Sequence, residues 1–218
     1  MRTWISLLAP VALLAQVNVP FERIRDAAKE PGNWLTYSRD YTGNRYSPLD
    51  QIHTGNVGKL RIAWMRQVNE LDTFETSPIV VDGTLYITEP PNIVSALDAR
   101  TGRTLWSYRK EIPKDLRLCC GKVNRGVAIL GDTVYYGSTD AHLIALDART
   151  GKTVWDTIIA DNSKGFGNSS GPTVINGKVL QGLSGCDRYK KEEDLQGCFI
   201  TASCKALSLR SLFLVNHC

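Results

Sequence analysis

Two cysteines stand side by side at Cys119 and Cys120, and Val123-Asn124-Arg125-Gly126 follows shortly after them. A ring closed between adjacent cysteines is awkward, because neighbouring Cα atoms lie about 3.8 Å apart across a trans peptide, short of the usual disulfide span. Strain of that kind marks functional sites more often than structural ones. The other reading is two thiols that stay free or bridge elsewhere. The remaining cysteines are Cys186, Cys198, Cys204 and Cys218. Cys186 and Cys198 flank a charged run, and a bridge between them would clip that loop, contributing roughly 3 kcal/mol by loop entropy; an unbonded pair is the alternative. No Ser-His-Asp arrangement stands out among the three histidines, no Cys/His spacing suits zinc, and no C-x-x-C-H haem attachment sequence occurs. Residues 165–171 (GFGNSSG) lack the spacing of a phosphate loop and read as a turn.

The elements that must position these residues emerge when the chain is compared with itself. Ala96 to Trp106 reads ALDARTGRTLW and Ala145 to Trp155 reads ALDARTGKTVW, 49 residues further on. Thr84-Leu85-Tyr86 and Thr133-Val134-Tyr135 keep the same offset, each behind an Asp/Gly turn pair. Four short β-type runs are predicted in each unit, at 77–81, 84–88, 93–98 and 104–108, and at 126–130, 133–137, 142–147 and 153–158. Four antiparallel strands repeated every 40 to 50 residues are the signature of β-propeller blades. In that frame Thr101-Gly102 and Thr150-Gly151 turn the chain into the outermost strand. Trp106 and Trp155 fill the space between blades, and Trp64, in KLRIAW, closes an earlier strand in the same way. Asp98, Asp147 and both tryptophans are therefore assigned to the fold and not to chemistry.

A third unit starts with strands predicted at 172–176, 178–182 and 198–202. The pattern then fails: the expected Asp, Thr-Gly and Trp fall on Cys204, Leu207-Ser208 and Leu212. Residues 203–218 read as an aberrant or frame-shifted tail, with a divergent last strand as the alternative.

Composition narrows the function. Hydrophobic residues make up 43% and charged residues 22% of the 218, the balance of a folded protein. With 26 basic and 22 acidic side chains and no long run of either sign, nucleic acid is not an expected partner. Residues 4–15 (WISLLAPVALLA), behind Met1 and Arg2, are too short to span a bilayer and read as a secretory signal peptide ending near Ala15. A buried N-terminal helix is the alternative, and Pro10 would interrupt it. Export would place the cysteines in an oxidising compartment.

Between about Gly32 and Ala202 the chain resembles the N-terminal part of the pyrroloquinoline-quinone (PQQ)-dependent alcohol dehydrogenases, eight-bladed periplasmic quinoproteins that include methanol dehydrogenase. The likeness rests on NWLTYSRDYTGNRYSPLD at 33–50, NVGKLRIAW at 56–64, the ALDARTG repeats, and the Cys-Cys pair with its VNRG sequel. It implies an all-β fold, a propeller with about three of its blades present (32–202). In the family the vicinal disulfide lies against the plane of the quinone, which implies cofactor-binding roles for Cys119 and Cys120 and, with them, for Val123. Arg125 matches an arginine near the cofactor's carboxylates, Glu75 a glutamate at its polar edge, and Thr139 a cofactor-contacting threonine. The segment GLSGCD at 182–187 is similar to a Ser-Gly-x-Glu motif, which places Ser184 and Gly185 beside the cofactor and makes Asp187 the calcium ligand. Aspartate here is one methylene shorter than the family glutamate, and the charged run that follows departs from the commoner pattern.

The activity so implied is oxidation of an alcohol by hydride transfer to the quinone, with Ca²⁺ polarising the quinone oxygen and a cytochrome c or a quinone as electron acceptor. The family's base is an aspartate in a later blade, so none of Asp98, Asp147 and Asp187 is given that role, and the chain as it stands is expected to be inactive. The resemblance also implies a periplasmic location without membrane integration. The alternative from another class is an exported, non-catalytic propeller scaffold of the outer-membrane assembly type, which shares the repeat but predicts no cofactor residues.

Overall fold

The computed structural model describes residues 17–68, 73–114, 116, 121–184, 199–203 and 213–214. Twelve strands among them form three four-stranded antiparallel sheets, each in simple sequence order. The first holds β1 (Ile79–Val81), β2 (Thr84–Glu89), β3 (Ile93–Asp98) and β4 (Thr104–Arg109). The second holds β5 (Ala128–Leu130), β6 (Thr133–Gly137), β7 (His142–Asp147) and β8 (Thr153–Ile158). The third holds β9 (Thr173–Ile175), β10 (Lys178–Gly182), β11 (Phe199–Ser203) and β12 (Phe213–Leu214). Every strand predicted from the repeat is present to within two residues at either end. The addition is β12, which pairs Phe213 with Thr201 and Leu214 with Ile200. The tail carries no turn signal, yet its apolar run meets the open hydrogen-bonding edge of β11, and such an edge accepts any extended segment that reaches it.

Burial explains why the middle strands are nearly continuous in apolar residues. Four of the six residues of β2 and five of the six of β3 are buried, and β6 and β7 repeat this, because each sheet has a neighbour to pack against. The outer strands β4 and β8 alternate instead, with Trp106, Tyr108 and Trp155 turned toward the core. Tyr86 packs on Trp106 at 6.0 Å between ring centroids, and Tyr135 on Trp155 at 5.9 Å, so the repeat recurs in the packing.

The hairpin into each outer strand is built the same way twice. The Asp98 carboxylate accepts from the backbone N–H and the hydroxyl of Thr101, both at 2.8 Å, and Asp147 accepts from the same two groups of Thr150 at 2.7 and 2.6 Å. The next residue, Gly102 or Gly151, has φ +72° or +70°. A tryptophan from earlier in the chain lies directly on that glycine: a Cβ on Gly151 would come within 2.5 Å of the Trp106 ring, and one on Gly102 within 2.6 Å of the Trp64 ring. Each indole also donates to a backbone carbonyl, Trp106 to Ala148 at 3.0 Å and Trp64 to Ala99 at 3.1 Å. The assignment of Asp98, Asp147 and the tryptophans to the fold is thus borne out.

The N-terminal segment ties the blades together along their inner edges. Val19 bridges to Gly131, Trp34 bridges to Val80, and the Tyr41 hydroxyl donates to the Val174 carbonyl. Short helix α1 (Phe21–Arg25) contributes Arg23, whose guanidinium holds both Glu30 and Asp82. A cavity of about 240 Å³ remains between this segment and the first strands, lined by Tyr37, Tyr41, Ile79, Ala128 and Val174 among others. Among the described residues no helix is long and apolar enough to cross a membrane. The signal-peptide segment lies outside them.

Two outcomes follow from the hairpin. Gly131 also has a positive φ, +64°, but nothing stands within 4 Å of where its Cβ would be. Gly131→Ala should therefore cost only the roughly 1 kcal/mol of a left-handed residue, whereas Gly151→Ala must also displace Trp106 and should cost at least about 2 kcal/mol more; urea unfolding of both variants checks the difference. The Thr150 hydroxyl hydrogen bond, helped by the Thr150 backbone N–H and against some desolvation, holds the Asp147 carboxyl below its ordinary value near 3.8. A depressed carboxyl stabilises the fold above its unfolded pKa and loses that contribution as pH falls through the folded one. Thermal melts should show the wild type losing stability below about pH 4 more steeply than Asp147→Asn.

Candidate functional site

Antiparallel order decides where the singled-out residues go. The start of a sheet's first strand, the end of its second and the start of its third all lie at the same end. Glu75 precedes β1, Arg125 precedes β5, Thr139 follows β6 and Ser184 follows β10, so four residues scattered over more than a hundred positions converge on one end of the three blades.

The lead-in segments of the first strands are stitched to one another. Ser77 N–H donates to the Arg125 carbonyl at 3.0 Å, and Arg125 N–H donates to the Ser169 carbonyl at 3.1 Å. On this frame the Arg125 guanidinium binds the Glu75 carboxylate at 2.7 Å and the Ser169 carbonyl at 3.1 Å. Their side chains remain 38% and 42% exposed, so Arg125 is fixed on two sides while further N–H donors face outward. The approach of the segments requires glycine: a Cβ on Gly126 would meet the Ser77 carbonyl at 2.9 Å, and one on Gly171 the Gly126 carbonyl at 2.9 Å.

Asn124 holds Arg125 from behind. It is buried, its amide donates to the Gly137 carbonyl, its side-chain oxygen accepts from Gly126 N–H at 3.0 Å, and its own carbonyl accepts from the Thr88 hydroxyl at 2.8 Å. Val123 is buried as well. Thr139 is only 1% exposed, and its hydroxyl donates to the Asn92 side chain at 3.1 Å. Val123 and Thr139 therefore support the site from beneath, while Glu75 and Arg125 are open to a ligand. Ser184 is half-buried and pairs with Gly167 through both backbone groups, its hydroxyl donating to the Gly167 carbonyl at 2.9 Å. Gly167 in turn sits on the Thr139 carbonyl, 2.6 Å from where a Cβ would be. Cys119, Cys120, Gly185 and Asp187 lie outside the described residues, as do Cys186 and Cys198. Among the described residues no group of His, Cys, Asp and Glu side chains could hold a metal ion.

Two more residues enter the site from the N-terminal segment. The Tyr37 hydroxyl is held below its ordinary pKa of 10 by hydrogen bonds with Ser77 and Arg45, and the charges of Arg45 and Arg125 act in the same direction. The Arg45 guanidinium also lies 4.7 Å from the Tyr37 ring centroid. Arg45 and Arg125 thus bring two guanidinium groups to this end, the second of them paired with Glu75. A planar polycarboxylate such as PQQ fits that donor set. No pattern in the sequence pointed to Tyr37 and Arg45. The run at 165–171 was legible only as a turn, although its small residues are what allow Arg125, Thr139 and Ser184 to meet through it.

Three consecutive four-stranded sheets, with Glu75, Arg125, Thr139 and Ser184 at one end, are blades of a β-propeller. Residues 34–199 match the family model for the PQQ glucose/ethanol/alcohol dehydrogenase β-propeller domain, and the chain belongs to that family. It is 43% identical over 189 residues to quinohemoprotein alcohol dehydrogenase ADH-IIG of Pseudomonas putida, covering 84% of this chain and 26% of that protein. It is also 43% identical over 159 residues to 1-butanol dehydrogenase (cytochrome c) of Thauera butanivorans, covering 72% of this chain and 23% of the relative. Among solved structures, a europium-containing methanol dehydrogenase superposes with a TM-score of 0.75, at 34% identity, over 84% of this chain and 32% of that one. The chain spans about a quarter to a third of the length of the relatives it matches.

Asn124 and Arg125 should separate stability from ligand binding. Asn124→Ala leaves the buried Gly137 carbonyl and Gly126 N–H without their partner and should cost roughly 2–3 kcal/mol. Arg125→Ala breaks a largely exposed ion pair and should cost less than about 1 kcal/mol. Chemical denaturation of the two variants checks the order.

Proposed function

We propose that this chain is the N-terminal part of a PQQ- and calcium-dependent alcohol dehydrogenase, exported to the periplasm by the segment that ends near Ala15. The observation that carries this reading is Arg125, clamped between Glu75 and Ser169 where three blades meet, within a field also fed by Arg45. Arg125 binds a carboxylate of the cofactor through its outward N–H groups, and Glu75 fixes the guanidinium so that little freedom is lost on binding. The Tyr37 phenol and Arg45 hold the same end polar and positive. Cys119 and Cys120, as a vicinal disulfide, would hold the quinone together with Ser184 and Gly185, and Asp187 would be the carboxylate for Ca²⁺. Bound quinone with Ca²⁺ supplies the acceptor for the hydride that leaves the alcohol carbon.

The hydroxyl proton must pass to a base, and we assign that role to none of the described residues. Asp98 and Asp147 are engaged by Thr101 and Thr150 in the hairpins. The base, the rest of the metal shell and the opposite wall of the pocket belong to the blades that the longer relatives carry beyond the matched part. Electrons then leave to a cytochrome c or a quinone. Residues 203–218 are proposed to be an aberrant tail, and the chain alone turns over no alcohol.

Titration of the chain with PQQ in the presence of Ca²⁺, followed by quenching of its tryptophan fluorescence, should give weak but saturable binding. Arg125→Gln should weaken it about tenfold, the worth of roughly 1.4 kcal/mol. No saturable binding, or equal affinity for the variant, would overturn the reading.

A further inference from the structure

The tip of the β2–β3 turn reaches out of the first blade and into the second. Asn92, at that tip, is fully buried, and its side-chain oxygen accepts three hydrogen bonds: from the Tyr136 hydroxyl at 2.5 Å, from Thr139 N–H at 3.0 Å and from the Thr139 hydroxyl at 3.1 Å. A backbone N–H can only donate, so the oxygen, and not the amide nitrogen, must face Thr139. The Asn92 backbone has φ +73°, and its carbonyl accepts from Lys110 N–H at 3.0 Å, which ties the tip to the end of β4. The Asn92 amide nitrogen has no acceptor among the described residues. Leaving a buried donor unpaired costs roughly 1–3 kcal/mol, so stability alone does not favour asparagine at this position.

What the side chain does achieve is to fix Thr139, and Thr139 is the floor on which the third blade's lead-in segment rests. The Thr139 carbonyl lies against the α-carbon of Gly167, a contact no residue with a Cβ could make. Gly167 is paired with Ser184 through N–H to carbonyl bonds of 3.1 and 2.8 Å in the two directions. The Gly167 carbonyl also receives the Ser184 hydroxyl at 2.9 Å. We propose that Asn92 is a positioning residue, one that sets the Thr139 turn and through it the Gly167–Ser184 wall of the cofactor end, across two blade boundaries. The link to cofactor rests on the reading of that end as the quinone site.

The decisive variant is Asn92→Gly, which tolerates the positive φ and removes only the amide, with Asn92→Asp as the variant that restores an acceptor oxygen. In the full chain, Asn92→Gly should speed hydrogen exchange at least tenfold at the Thr139 amide and also at the Gly167 and Ser184 amides, which Asn92 does not touch. The Tyr86 and Val134 amides should keep their wild-type rates relative to global unfolding. Affinity for PQQ with Ca²⁺ should fall about tenfold, and Asn92→Asp should recover part of both effects. Unchanged exchange at Gly167 and Ser184 would overturn the positioning role, whatever the quinone does. Transmitted exchange with wild-type quinone affinity would overturn its bearing on the cofactor. If the wild type takes up no quinone while the exchange pattern is as expected, the functional reading of the site fails and the positioning of the wall stands.

Discussion

The contact between one blade's tryptophan and the next blade's glycine is what the remaining geometry hangs on. Trp106 lies on Gly151 and at the same time donates to the Ala148 carbonyl, an oxygen that also accepts from the buried Tyr86 hydroxyl at 3.1 Å. Two side chains of the first sheet thus grip a single carbonyl of the second. The seat is shaped by the Asp147–Thr150 hydrogen bonds, which bring the chain round to the left-handed glycine, so the repeated spacing within ALDARTG is the spacing of a socket and its rim. A flat indole on a bare backbone allows the sheets to approach at one distance and one angle, and any added methyl would change both.

With the outer ends locked, the inner ends are brought together closely enough for their lead-in segments to bond across the seams. That is where the cationic site forms. Arg125 belongs to the second blade, takes its counter-ion from the segment before the first and its second anchor from the segment before the third. No single blade could hold it in that orientation. The site is a property of the seams, and its buried supports use the amide differently: Asn124 donates to Gly137 and accepts from Gly126 within its own blade, while Asn92 accepts from Tyr136 and Thr139 across a boundary.

The same distinction explains what could be seen in the sequence. Strands were legible because alternation and the 49-residue repeat are local patterns, and Trp106, Asp98 and their second copies recur with their partners at constant spacing. Arg125 and Glu75 were legible only through the resemblance of VNRG and its surroundings to a family. Asn92 carries no such mark, since it meets Tyr136 and Thr139 more than 40 residues away across a seam that has no periodicity, and nothing within the 33–50 segment set Tyr37 and Arg45 apart from their neighbours. Thr139 lies at the expected end, with its hydroxyl bonded to Asn92 of the neighbouring blade. The run at 165–171 looked like a turn because glycine and serine are turn formers, and its true requirement, close passage of three backbones, leaves the same composition.

Trp64 repeats the lock at the first blade. It sits on Gly102 with its indole bonded to the Ala99 carbonyl, just as Trp106 sits on Gly151, although residues 60–66 pair with no strand among the described residues. Its neighbours are bare: Ile62 is 77% and Met65 83% exposed, where the equivalent outer strands β4 and β8 have sheets of their own. Arg66 strengthens the docking by an ion pair with the nearly buried Glu89 at 2.8 Å. The same three partners, an indole, a left-handed glycine and one backbone carbonyl, thus recur at Trp64 and at Trp106, and they set how one unit seats on the next at both places.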